Sequence, residues 1–269
     1  MNVSSTFNAN DGDGYNLQMG RWSRRLAEPF LDFADAADGE AILDAGCGTG
    51  SLAFALKKRL PACRVNAIDF SPAYIAHAAR HAADSNIAFE VGDVCDLRFG
   101  DASFDRVLSL LVLHFVPQTA RAVAELRRVA KPGGTVAAAV WDAYGGLLAL
   151  RMFFDVAAML DPTSERARDH SFTRPMTRSG ELAHAWQAAG LIDVQDTSLT
   201  IRMDFDRFDD YWAPFEGRDG PGAQHVQTLS ADAKARLRDA VRRAYLAGEP
   251  DGARSFAATS WAVKGRVPG

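Results

Sequence analysis

The sequence predicts an α/β fold in which a mostly parallel sheet carries helices on both faces. Three observations lead there. Short apolar runs alternate with helix-patterned segments from position 41 onward, and parallel strands need such crossover helices. The junction 43–50 between a strand and a helix is rich in glycine, as expected where backbone turns tightly and approaches a ligand. Acids stand at the ends of successive strand candidates: Asp44, Asp69 and Asp93.

In chain order, 1–14 is polar and Gly/Asp-rich and reads as a flexible arm. A helix is expected over 15–34, where Leu26, Phe30 and Phe33 recur at helical spacing. AILD (41–44) is a buried strand, and 51–60 an amphipathic helix closed by Pro61. RVNAID (64–69) is the next strand. Ser71 and Pro72 then start a helix expected to reach Asp84, with a hydroxyl cap and proline at the first helical position. Strands follow at 88–91 and 104–111, a helix at 118–130 stopped by KPGG (131–134), and a strand at 135–141. Beyond Asp142 the pattern loosens. Helices near 146–160, 181–189 and 232–247 flank strand candidates at 194–205 and 255–264, while 162–178 and 214–222 read as loops or mobile covers. Neither marks a boundary, so 1–269 is expected to be one domain: an arm and cover helix at 1–40, a binding core at 41–142, and covering segments with the remaining strands at 143–269.

Composition narrows the function. The 269 residues are 48% hydrophobic and 24% charged, enough for a substantial core. With 30 basic and 34 acidic residues the net charge is −4, so a dense positive field for nucleic acid or an anionic membrane is not expected. The longest apolar run, 107–116, is roughly half of what spans a bilayer. Met1 is followed by polar residues rather than a basic patch and apolar block, and the expected location is cytoplasmic. Three widely spaced cysteines suggest neither a disulfide framework nor a zinc site. His77 and His81 have helical spacing but lack the glutamate of a zinc-protease pair, so no metal is expected. The arginines at 236, 238, 242 and 243 read as a solvated helix face diluted by Asp232 and Asp239.

The stretch LDAGCGTG (43–50) is the most informative. A nicotinamide-type G-x-G-x-x-G fingerprint would need glycine where Ser51 stands. Asp44 sits at the strand end where a pyrophosphate would pass, and two like charges in contact there would repel by several kcal/mol at an effective dielectric of roughly 20. An ammonium group would be attracted instead. The loop therefore suits a cation-bearing, phosphate-free cofactor. Asp69, about twenty residues beyond the loop, is placed to accept from ribose hydroxyls. Phe70 can cover an adenine face, Asp93 can accept from its amine, and the Val94 N–H can meet a ring nitrogen.

At this point the chain resembles the class I S-adenosylmethionine-dependent methyltransferases, over about 15–142. The resemblance rests on ILDAGCGTG (42–50), AIDFS (67–71), GDVCDL (92–97), FDRVLSLLVLHFVP (104–117) and KPGG (131–134), in that order. The nearest subgroup is the small-molecule methyltransferases related to quinone-biosynthesis enzymes. It implies a Rossmann-like seven-stranded sheet, order 3-2-1-4-5-7-6, with an antiparallel last strand that 255–264 would supply. It also implies S-adenosylmethionine as cofactor, leaving S-adenosylhomocysteine. The backbone around Gly46, Cys47 and Gly48 would touch its methionine part and Asp44 would lie near its ammonium. Asp69 would hold the ribose, Phe70, Asp93 and Val94 the adenine, and Leu110 would offer a carbonyl to the amino group. In the helix that covers the cofactor, Tyr15 or Arg21 would meet the carboxylate.

Methyl transfer from a sulfonium is an in-line displacement governed mainly by alignment, and needs a base only where the acceptor must lose a proton. His114, just past the fourth strand, is either such a base or a backbone-bonded core histidine. No catalytic side chain is assigned. Aromatics at 153, 154, 172, 205, 208, 211, 212 and 215 suggest an apolar or aromatic small-molecule acceptor, with Trp212 expected to matter for its turnover. Two rival readings stay open: a cofactor-binding sensor or scaffold without catalysis, and a nicotinamide oxidoreductase that Asp44 and Ser51 disfavour.

Overall fold

The computed structural model describes residues 5–7, 12–82 and 86–269. Most of the expected arm, and the expected helix end at Asp84, lie outside the described residues. The chain runs through α1 (Gly12–Tyr15), a π-helical turn (Asn16–Gly20), α2 (Arg21–Ala34), β1 (Ala41–Ala45), α3 (Ser51–Arg59), β2 (Arg64–Asp69) and α4 (Pro72–Arg80). It continues through β3 (Ile87–Val91), β4 (Phe104–Leu110), α5 (Thr119–Val129), β5 (Ala130–Trp141), α6 (Leu148–Leu160), α7 (Glu165–Phe172) and α8 (Glu181–Ala188). The last elements are β6 (Ile192–Phe205), α9 (Phe208–Trp212), α10 (Gly220–Gln227), α11 (Ala231–Leu246) and β7 (Arg254–Arg266).

The sheet has seven strands in the order β3-β2-β1-β4-β5-β7-β6. β1 pairs in parallel with β2 and β4, placing Asp44 opposite Ala67 and Leu108. β7 runs antiparallel to both β5 and β6, as the resemblance implied. Because β1, β2 and β4 point the same way, the turns after them open at one edge of the sheet, where α/β folds bind ligands.

Local chemistry explains the boundaries. The Ser71 hydroxyl accepts from the Tyr74 amide at 3.3 Å, with Pro72 at the first helical position of α4. Apolar stripes of α2 and α3, including Leu26, Phe30, Leu52 and Leu56, pack one face of the sheet, together with Phe153 of α6, Tyr211 of α9 and Val241 of α11. The other face is covered by Leu126 of α5 and Trp186 of α8, whose indole N–H donates to the Val136 carbonyl. Arg106 in β4 is buried, paired with Glu40 at 2.7 Å and donating to the Ala34 carbonyl.

Three expectations are corrected. The strand expected at 135–141 begins at Ala130, with KPGG held in a register shift between Phe104↔Ala130 and Arg106↔Thr135. A bulge tolerates Pro132, which has no ladder N–H to give. The stretch 162–178 contains a 3₁₀ turn (Pro162–Ser164) and α7, held by an Asp161 cap on the Thr163 amide, an Arg168–Asp155 pair at 2.6 Å, and Phe172 edge-on to Phe154. The stretch 214–222 enters a 3₁₀ turn (Ala213–Glu216) and α10, where Gly222 lets Phe215 lie against the backbone; a Cβ there would fall 2.6 Å from that ring. Both look like loops by composition, and tertiary packing orders them.

Candidate active site

The glycine loop is built by backbone. After β1 the chain turns through Gly46, Gly48 and Gly50, with φ of 85°, 55° and 91°, conformations that cost other residues strain. The amides of Gly46 and Cys47 both donate to the Ile68 carbonyl at 2.8 Å, tying the loop to β2. A Cβ on Gly46 would sit 2.3 Å from Val112 Cγ2, while one on Gly48 would come no closer than 3.8 Å to the Tyr15 ring.

Two carboxylates underlie the loop. Asp69 accepts from the Gly48 amide and from the Ser71 amide, each at 2.9 Å, yet burial pushes its pKa up to about 6. Asp44 is fully buried, and neither oxygen has a hydrogen bond of ordinary geometry; the Ala53 amide gives only weak assistance. Burial, with the Asp69 charge second, pushes Asp44 up to about 8. Such a buried carboxyl is paired with a proton or awaits a cation. Cys47 is buried and its thiol is pushed well above its usual range, first by burial and then by Asp44, so it is a filler of the loop and not a nucleophile.

A single cavity opens beside this loop. Gly46, Gly48, Asp69, Phe70, Asp93, Val94, Leu110 and Tyr15 all line it. Asp93 turns one oxygen to the Cys95 amide at 2.8 Å. The Tyr15 hydroxyl lies 3.2 Å from Ser23 Oγ, and burial pushes its pKa up to about 12, so it stays a neutral donor. Asp44 and Cys47 stand behind the wall, not on it. Arg21 is also off the wall. It pairs with Asp210 at 2.8 Å and lies over the Trp22 ring at 4.3 Å.

The far end of the cavity is apolar. Leu147, Leu150, Phe205, Tyr211 and Phe215 face it, whereas Phe153, Phe154, Phe208 and Trp212 pack behind as core. The expectation for Trp212 is thereby corrected: it is buried against Phe208 and Phe153 and does not reach the cavity. His114 lines the cavity, and its Nδ1 has no hydrogen-bond partner among the described residues. Burial, assisted by the Arg174 charge, pushes it down to about 3. It rests as a neutral imidazole, and its Nδ1 makes none of the backbone bonds a core histidine would be expected to make.

Sequence reasoning missed Arg174 and Ser171, which reach the cavity from the stretch read as a cover, and Gln18 and Trp22, which reach it from the N-terminal helices. Reading 162–178 as a cover was the available signal for the first two. It also missed Leu111, a buried cavity residue at φ 63° whose amide donates to the Ala139 carbonyl. A branched side chain in that conformation marks stored strain, of order 1–3 kcal/mol, at the end of β4.

A family model described as a methyltransferase domain matches residues 42–134. Malonyl-[acyl-carrier protein] O-methyltransferase of Erwinia pyrifoliae is 32% identical over 214 residues, covering 79% of this chain and 72% of that protein. The chain belongs to the S-adenosylmethionine-dependent methyltransferases. The ubiquinone/menaquinone biosynthesis C-methyltransferase of Paracoccus denitrificans is 32% identical over 123 residues, 44% of this chain and 49% of that protein. The phosphoethanolamine N-methyltransferase 2 of Haemonchus contortus, solved with S-adenosylhomocysteine, shares the fold at a TM-score of 0.59 and 15% identity, over 96% of this chain and 57% of that one. As a methyltransferase the chain uses S-adenosylmethionine as methyl donor, and the orphaned Asp44 carboxyl beneath an open glycine cradle fits a ligand with an ammonium group. No group of metal-ligating side chains and no helix long and apolar enough to cross a membrane occurs among the described residues.

Proposed function

We propose that this methyltransferase acts on a small molecule with an apolar or aromatic body. One observation carries the reading: one cavity is lined both by acids and an open glycine loop and by Phe205, Tyr211 and Phe215. S-adenosylmethionine, when bound, supplies an electrophilic methyl on a sulfonium. The loop backbone at Gly46 and Gly48 would cradle the methionine part, and Asp44, buried behind that loop, would ionise to balance the ammonium charge across it. Tyr15 would donate to the carboxylate; Arg21, engaged by Asp210, is the weaker candidate. Each Asp69 oxygen keeps a lone pair for a ribose hydroxyl after serving the backbone. Phe70, Asp93 and Val94 would enclose the adenine, and Leu110 would offer its carbonyl to the amino group.

The chain's part in the transfer is alignment and exclusion of water. Phe205, Tyr211 and Phe215 would position the acceptor; the Tyr211 hydroxyl is already committed to the Ala149 carbonyl at 2.8 Å, which leaves its ring face for packing. The two relatives named above are called O- and C-methyltransferases, so they support the reaction type without selecting the atom methylated. The division into arm and cover helix (1–40), cofactor-binding core (41–142) and acceptor covers with the remaining strands (143–269) belongs to the same proposal. Calorimetry with S-adenosylmethionine, S-adenosylhomocysteine and NAD tests it. Both adenosyl ligands should bind and NAD should not, and Asp69→Ala should weaken binding by about 1–3 kcal/mol. Heat with NAD alone would overturn the cofactor half, and absence of labelled methyl transfer to any apolar acceptor the other half.

A further inference from the structure

The cavity wall carries charges of both signs. Asp69 and Asp93 line the end assigned to the cofactor, and Arg174 is the one lysine or arginine among the described residues that line the cavity. Its guanidinium lies over the Phe115 ring at 4.5 Å. That contact is with a ring face and gives the N–H donors no hydrogen-bond acceptor. No carboxylate pairs with Arg174 and no hydrogen bond from it is formed among the described residues, whereas the arginines at 21, 25, 59, 106, 128, 168, 238, 242 and 266 each meet an acid. Being largely desolvated, it is pushed down to about 10. Beside it stands His114, only 4% exposed and with Nδ1 unpartnered, its ring 4.0 Å from that of Phe115. His114 Nδ1 is buried without a partner, a cost that a ligand can relieve, and the half-buried Arg174 guanidinium stands beside it with its donors uncommitted to protein.

We propose that Arg174 and His114 form a recognition site for an anionic oxygen carried by the methyl acceptor, a carboxylate or an ionised phenol or enol, on an otherwise apolar body. The inference rests on the acceptor end assigned above and names its substrate class. A planar guanidinium matches such an oxygen through charge-assisted hydrogen bonds. The arrangement suits an acceptor that enters already ionised, because the Arg174 guanidinium favours the anionic form of an oxygen placed against it. In that state no proton needs to move when its lone pair takes the methyl carbon and the carbon–sulfur pair returns to sulfur.

The test uses the full chain with S-adenosylhomocysteine and two matched probe pairs: cinnamate against cinnamamide, and 4-nitrophenolate against 4-nitroanisole. The wild type should prefer at least one anion over its neutral twin by tenfold or more, and the pair that discriminates tells carboxylate from phenolate. Arg174→Gln should reduce that preference to under twofold while S-adenosylhomocysteine affinity stays within twofold; Arg174→Lys should restore part of it. No preference in either pair overturns the proposal. So does a Gln variant that loses S-adenosylhomocysteine binding, which would give Arg174 to the cofactor's carboxylate. Running the same pairs without S-adenosylhomocysteine separates the two readings. Failure of that ligand to bind the wild type sinks the cofactor assignment, whereas normal binding with no anion preference sinks only this one.

Discussion

Replacing Asp44 by asparagine keeps the size of a fully buried side chain and removes its charge and its proton. The wild-type carboxyl titrates at about 8 because burial, and then Asp69, oppose its ionisation. At pH 7 such a group is about nine-tenths protonated. An ammonium held by the glycine loop in front of it would favour its ionisation, and a full return to the ordinary carboxylate value near 4 would release about 0.9 proton at that pH, the upper bound for the slope. Between the bound and unbound pKa values each pH unit changes affinity by up to tenfold, about 1.4 kcal/mol. Affinity for S-adenosylhomocysteine should therefore climb from pH 5.5 and level off above about 8, where the unbound carboxyl is already ionised. Calorimetry at pH 7 in buffers of different ionisation enthalpy reads the released proton as a slope. The asparagine variant should show almost no slope and bind at least tenfold more weakly. Stability carries the matching sign. A carboxyl raised on folding contributes stability that is complete below its unfolded pKa near 4 and lost as pH rises through about 8. The ligand-free wild type should thus lose melting temperature from pH 5 to 8 more steeply than Asp44→Asn. A proton slope that survives in the variant would refute the assignment of the ammonium to Asp44.

Further outcomes follow from the packing. Gly46→Ala must place a methyl 2.3 Å from Val112 at a φ of 85°, so calorimetry should show cofactor binding weakened at least tenfold. Trp212→Ala removes a buried indole from the core and should cost about 3–5 kcal/mol in urea unfolding, with the acceptor KM unchanged in the folded fraction. Phe215→Ala, on the cavity wall, should instead raise that KM. Glu40→Ala strands the buried Arg106 guanidinium and should destabilise by about 3–5 kcal/mol, without altering the proton slope on cofactor binding.

Much of the fold was legible because it is written in short-range patterns. The run of apolar residues in 41–45, the Ser71–Pro72 cap and the amphipathic stripe of α2 are each decided within a few residues of chain. The glycines at 46, 48 and 50 announce their turn because positive φ is costly for other residues. Even the acids at Asp44, Asp69 and Asp93 could be matched to a ligand before the sheet was seen, since parallel strands deliver their ends to one edge.

What the chain alone could not say is which side chains look inward. Phe153 and Phe215 stack at 4.0 Å, yet one is core and the other cavity wall. Arg21 and Arg174 are both arginines in covering segments, and only a partner 189 positions away, Asp210, takes the first out of the site. α7, α9 and α10 are too short to be stable by themselves and take their shape from contacts with distant segments. Local sequence therefore determined the scaffold and the cofactor loop, where the energetics are those of backbone and nearest neighbours. The apolar cavity wall, where we propose the acceptor binds, was decided by tertiary packing, because burial and pairing there depend on residues far apart in the chain.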